Sequence, residues 1–212
     1  GTCELAACSR MMKPKEIAMA ESKGVEPKEY VVAMDGIAVA VNPENPISEL
    51  NIDQLSDIFT GKIKNWKELG GDDKRIVLLS REVNSGTHVF FKEHVLRKGM
   101  EGSTEEFAPD ALLMPSSQAI ADEIASNPNA IGYYGMGYIS PAQKAIKVAM
   151  NNGAPYEYPS LENVRSGAYP ITRPLLVYSR GIPEGMVKEF MDFIFSDEGQ
   201  EIVKETEFVP IK

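Results

Sequence analysis

No stretch of this chain is apolar for long enough to cross a bilayer. The longest uninterrupted runs, such as Ile37–Val41, fall far short of the roughly 20 residues required. Cysteine and histidine are scarce, two of each among 212 residues. Two cysteines cannot make a disulfide framework. In an extended segment Cys3 and Cys8 would stand about 16 Å apart, beyond disulfide reach; they read as two small buried apolar residues beside a strand. His88 and His94 lie six apart on one helical pattern, not at the i,i+4 spacing that joint metal ligation needs. Basic residues are also short: 22 Lys and Arg against 31 Asp and Glu, a net charge of -9. That balance excludes a general nucleic-acid or anionic-membrane partner, because attraction to a phosphate backbone needs the opposite sign. A single small anion stays compatible, since local dipoles act at short range. The chain begins Gly1-Thr2 with no basic, then apolar, leader pattern, and so reads as processed or truncated. Internal repeats and low-complexity tracts are absent.

What is present is an ordinary globular composition, 43% hydrophobic and 25% charged. Short apolar runs alternate with helical patterns. Strands are expected at Cys3–Ser9, Tyr30–Val41 (one bent or two short), Arg75–Ser80, Ala130–Tyr134, Lys144–Met150 and Arg173–Ser179. Helices are expected at Lys13–Lys23, after an Asn51 cap paired with Gln54, at Thr87–Leu96, at Gln118–Ser126 behind Ser116 or Ser117, at Pro183–Phe195 and at Ser196–Lys204. The alternation predicts an α/β fold with mainly parallel sheets.

The richest chemistry lies between Arg75 and Leu96. A buried strand ends in Ser80-Arg81, a loop follows, and Ser85-Gly86-Thr87 opens a helix. Ligands of open α/β sheets sit at the carboxyl ends of strands, and a helix start offers outward N–H groups and partial positive charge. Arg81 adds a planar fork for oxyanions, Ser85 and Thr87 add hydroxyls, and Gly86 admits a close backbone approach. The set suits phosphate, sulfate or a carboxylate. A second reading is open on the same residues: Ser85 as a plain helix cap and Arg81 in a surface ion pair. A Ser85–His88 nucleophile and base is disfavoured, as no Gly-x-Ser-x-Gly elbow surrounds Ser85. Asp53, Asp57, Asp72 and Asp73 read as solvated carboxylates. Gly132, Gly135 and Gly137 read as a strand end or hinge, and Phe190–Phe195 as a core-facing helix. No catalytic residue, metal or cofactor is expected.

Five segments together carry a family resemblance. They are D-G-I-A-V-A-V-N-P (Asp35–Pro43), L-S-D-I-F-T-G-K-I-K-N-W-K-E-L-G-G (Leu55–Gly71), S-R-E-V-N-S-G-T (Ser80–Thr87), N-P-N-A-I-G-Y (Asn127–Tyr133) and Y-P-I-T-R-P-L (Tyr169–Leu175). The chain resembles the phosphate-binding proteins of bacterial phosphate ABC transporters, which are two-lobed type II periplasmic binding proteins. That resemblance implies capture of inorganic phosphate between two lobes and its delivery to an ABC permease, without bond making or breaking. It implies one lobe from residues 1–35 and 174–212, a second from 36–173, and a two-strand hinge near Met34–Ile37 and Arg173–Leu175. The phosphate contacts it implies are Arg81, Ser85, Gly86 and Thr87 from the second lobe, with Ser9 and Arg10 from the first. Location is periplasmic or extracytoplasmic, with a lipid anchor as a variant. Sulfate, tungstate or molybdate binding, or a sensor that no longer transports, are the alternatives.

Two departures from the family pattern matter. Some members place an Asp two residues after the Arg, as acceptor for a phosphate proton; Val83 stands there, with Glu82 adjacent. Such an acceptor repels a fully ionised oxyanion. The family also begins several tens of residues earlier, so the first lobe is expected to be incomplete here. Exposed apolar sheet would follow, and with it self-association.

Overall fold

The computed structural model describes residues 3–212. In chain order its elements are β1 (Leu5–Cys8), α1 (Pro14–Ser22), β2 (Pro27–Val41), β3 (Glu49–Asn51), α2 (Ile52–Phe59), β4 (Val77–Arg81), α3 (Gly86–Phe91), β5 (Leu112–Met114), α4 (Ser117–Ser126), β6 (Ala130–Gly135), β7 (Lys144–Ala145), β8 (Lys147–Ala149), α5 (Leu161–Ser166), β9 (Thr172–Arg180), α6 (Gly185–Ile194) and α7 (Asp197–Glu205). The chain divides into two compact units. One comprises the residues up to Asp35 together with Arg173–Lys212, the other Gly36–Thr172.

In the first unit β9 lies between β1 and β2, and β1 pairs with it antiparallel, Leu5 opposite Ser179. The end of the chain is stitched to β2 by paired bonds between Met34 and Val209. Gln200 on α7 donates to the Val32 carbonyl (3.1 Å) and accepts from the Ile211 N–H (2.9 Å), so a buried amide satisfies backbone groups of β2 and of the chain's last residues. Two expectations change here. Cys3 is exposed and Cys8 half-buried, because Cys3 precedes β1 rather than lying within it. On α6 the buried side chain is Met191, whereas Phe190 and Phe193 are 53% and 41% exposed; they lie on the helix face turned from this unit's core.

In the second unit the sheet order is β2-β6-β4-β5, with β7 also on β2. Ile37–Val41 is fully buried, which is why this stretch reads as a continuous apolar run without alternation. Helix α4 packs over β4 and β6. Gly132 makes that contact possible: a Cβ there would stand 2.5 Å from Ile120 Cγ2 and 3.2 Å from Leu79 Cβ. An aromatic group fills the opposite side, with Tyr133 stacked on Phe91 at 3.8 Å and Phe59 edge-on to both. Trp66 is buried and donates from Nε1 to the Asn129 carbonyl, 3.1 Å. Burial of each such side chain contributes about 1.5–3 kcal/mol.

The local caps form as the sequence predicts. Asn51 Oδ1 accepts from Gln54 N at 2.8 Å while Gln54 Oε1 accepts from Asn51 N at 2.9 Å, and Ser116 rather than Ser117 caps α4. Sheet direction differs from the expectation of mainly parallel pairing. β3–β8, β4–β5 and β4–β6 are parallel, but β1–β9, β2–β6 and β2–β7 are antiparallel. Direction depends on how strands connect in space, which residue periodicity does not carry. The expected single strand at Lys144–Met150 is two, since the chain changes partner at Ile146 from β2 to β3. The expected helix Thr87–Leu96 is α3 followed by a π-turn, Lys92–Leu96, that turns both Val95 and Leu96 inward.

Candidate functional site

The Arg81–Thr87 segment forms as strand, turn and helix. β4 ends at Arg81, a turn closes with Ser85 N donating to Glu82 O at 2.9 Å, and α3 begins at Gly86. The Arg81 guanidinium is steered by neutral groups: NH1 donates to Ser117 Oγ at 3.1 Å, and NH2 reaches the Pro115 carbonyl at 3.5 Å. Because Ser116 takes the capping role on α4, Ser117 is left to meet Arg81. Arg81 Nε is buried with no hydrogen-bond partner among the described residues. A buried guanidinium N–H without an acceptor is costly unless a ligand completes it.

The plainer reading of these residues holds for the position of Ser85, which is the N-cap of α3, and fails for an Arg81 ion pair. Ser85 stands at the cap position without a side-chain capping bond, and among the described residues no carboxylate pairs with Arg81. Ser85 and Thr87 are half-buried, Gly86 is exposed, and Val83 is 66% exposed. The structure therefore brings Arg81, Ser85, Gly86 and Thr87 onto one strand end and helix start. His88 is buried and turned to Ser80, not to Ser85, so no nucleophile and base are assembled. No group of three or more metal-ligating side chains occurs among the described residues.

Ser9 and Arg10 lie in the other unit, beside a hollow of about 520 Å³ also lined by Cys8, Met12, Glu16 and Tyr178. Glu16 occupies the Arg10 fork, accepting from NH1 at 2.9 Å and NH2 at 2.8 Å. The Arg10 hydrogen bond, aided by the Lys13 N–H, holds the Glu16 carboxyl down at about 2. An anion engaging Arg10 through these same two nitrogens would compete with Glu16. This pairing was legible only in part: Pro14 at a helix start with Glu16 two residues on marks a first-turn carboxylate, but nothing local names Arg10 as its partner. A further hollow of about 310 Å³ in the second unit is lined by Glu44, Trp66, Asp72 and Lys74. Two carboxylates to one lysine suit it poorly to an anion.

Other residues of the Arg81 site went unread in the sequence. Ser80, fully buried, lies 2.8 Å from the Tyr133 hydroxyl and 3.1 Å from His88 Nδ1. Burial, helped by the Lys92 charge, keeps the His88 ring's affinity for a proton below its usual range. Burial likewise pushes the Tyr133 hydroxyl up to about 12. Both side chains are neutral near pH 7 and act as hydrogen-bonding groups.

Comparison with known proteins decides the family. Residues 1–198 match the family model described as "PBP superfamily domain". The phosphate-binding protein PstS of Pseudomonas aeruginosa is 32% identical over 228 residues, which cover all of this chain and 69% of that protein. The chain belongs to the phosphate-binding-protein family of this superfamily. Family likeness extends to PstS of Bacillus subtilis, 36% identical over 90% of this chain; the chain spans 61% of that relative's length. Among solved structures, an ABC-type phosphate transport receptor from Vibrio cholerae aligns with a TM-score of 0.81 at 27% identity, over 97% of this chain and 79% of that one. A phosphate-bound structure from Clostridium perfringens, of a protein named for substrate binding in phosphate ABC transport, aligns at 0.76 with 36% identity, over 99% and 79%. The fold is thus the α/β fold of the type II periplasmic binding proteins.

Proposed function

We propose that this chain binds inorganic phosphate at the Arg81–Thr87 segment and hands it to the permease of an ABC transporter outside the cytoplasm, without catalysis. The observation that carries the reading is the half-buried Arg81 guanidinium, whose buried Nε lacks an acceptor, at a strand end that runs into Ser85-Gly86-Thr87. Names of the relatives and a phosphate-bound structure at 36% identity support it. Arg81 supplies charge and a fork, Ser85 and Thr87 hydroxyl and backbone donors, and Gly86 a backbone N–H. Ser9 and Arg10 remain proposals from the family resemblance, and Glu16 is the competitor for Arg10.

Selectivity is the open chemical question. With Val83 exposed and apolar, the adjacent Glu82 is the nearest carboxylate in sequence that could accept a phosphate proton. The test is calorimetric titration of anion-free protein with phosphate, then with sulfate, at pH 6 to 8. The expected result is saturable phosphate binding that equimolar sulfate does not displace. Heat from sulfate alone, or from neither anion, overturns the reading. Self-association through the first unit belongs to the same proposal, because Ile182, Met186 and Phe190 there are 75%, 84% and 53% exposed. Light scattering should return at least twice the mass of one chain; a single-chain mass removes that part.

A further inference from the structure

Three elements converge on the peptide of Arg81. Ser80 Oγ, at the end of β4, stands 3.3 Å from the Arg81 carbonyl oxygen, 3.1 Å from His88 Nδ1 and 2.8 Å from the Tyr133 hydroxyl. Ser80 is therefore held on both sides, by α3 through His88 and by β6 through Tyr133, and itself reaches the Arg81 carbonyl.

The arrangement of His88 is costly unless it is used. The residue is 4% exposed, with its ring 4.6 Å from that of Phe107. A buried polar ring needs partners to repay its desolvation, while an apolar side chain of similar size would need none. His88 spends its hydrogen bonds on the end of β4 and not on its own helix. It directly follows Ser85-Gly86-Thr87, so whatever fixes His88 against β4 also fixes that helix start relative to Arg81. Fully satisfied buried networks of this kind rigidify one arrangement, and anion donors must be held to within about half an ångström to act together.

We propose that His88 is a positioning residue for the anion site: through Ser80, whose hydroxyl reaches the Arg81 carbonyl, it holds the Ser85–Thr87 helix start in register with the Arg81 guanidinium. The role rests on Arg81 being the anion contact. It does not require His88 to touch the ligand. Charged groups facing the ring are Lys92 on the continuing helix and Glu106 before Phe107, and they are left unchanged in the test.

Two substitutions separate positioning from bulk. His88→Phe keeps a flat ring without hydrogen bonds, and His88→Asn keeps a short amide able to donate and accept. Phosphate affinity is measured by calorimetry, the melting temperature by circular dichroism, and the His88 imidazole nitrogens of the parent by NMR with and without phosphate. His88→Phe is expected to weaken phosphate about tenfold, the scale of one lost buried hydrogen bond, with little change in melting temperature. His88→Asn is expected to recover most of that loss. Phosphate should shift the parent's His88 nitrogen resonances. Parent-like affinity in His88→Phe, or equal losses in both variants that track a fall in melting temperature, overturns the positioning role and leaves the anion site standing. A parent that binds no phosphate removes the anion site and this role together.

Discussion

Arg81→Ala should weaken phosphate binding by two to three orders of magnitude, about 3–4 kcal/mol, the range for removing one partner of a buried, hydrogen-bonded charge pair. The global field works against the ligand, since the chain carries a net charge of -9; attraction must come from charge placed at the site. Arg81 is that charge, and its protein contacts are a serine hydroxyl and a carbonyl at 3.1 and 3.5 Å. Neither neutralises it, so its electrostatic capacity is kept for a ligand. Arg81→Lys retains charge but loses the planar fork and Nε, and should fall between parent and alanine. Thr87→Val removes one neutral hydroxyl and should cost only about 1 kcal/mol. The order of effects across this series is the measurement, read by calorimetry. Unchanged affinity in Arg81→Ala places the site elsewhere, whatever the other two variants do.

That segment was legible in the sequence because its logic is local. A buried strand, a turn and Ser-Gly-Thr occupy consecutive positions, and strand ends followed by helix starts have a known chemistry. Caps were legible for the same reason, as with Asn51 and Gln54, three residues apart. What surrounds Arg81 was not legible. Ser117 is 36 residues away and Tyr133 is 53 from Ser80; no periodicity reports such meetings. His88 was visible on a helix, yet neither its burial nor its partner could be read until β4 and α3 were placed together. Strand direction failed similarly, because β6 runs parallel to β4 and antiparallel to β2 with one and the same sequence pattern. The exposed Phe190 and Phe193 show the reverse case. An apolar helical stripe says that a face wants cover, not that this chain supplies it.

Asp35→Ala should destabilise the first unit by about 3–5 kcal/mol, the cost of breaking a buried ion pair from one side. Asp35 Oδ2 accepts from Arg173 Nε at 3.0 Å and NH2 at 2.7 Å, and the two side chains are only 4% and 10% exposed. Burial pushes the Asp35 carboxyl upward, against the pull of the Arg173 guanidinium. Ionisation of the aspartate is thus a cost that the contact offsets, and the pair matters most through what is left when half of it is removed. Asp35→Ala leaves a guanidinium in a low-dielectric site without its carboxylate. At about 2–4 °C per kcal/mol for a chain of this size, the melting temperature should fall by roughly 10 °C. Asp35→Asn keeps an acceptor without the charge and should lose less. Asp35→Leu combined with Arg173→Met should recover much of the loss, since both desolvation costs vanish together. These two residues are also the ones at which the chain leaves the first unit and returns to it. A melting temperature within 2 °C of the parent for Asp35→Ala, an effect below about 1 kcal/mol on the same scale, would show that the ion pair contributes no net stability to the first unit.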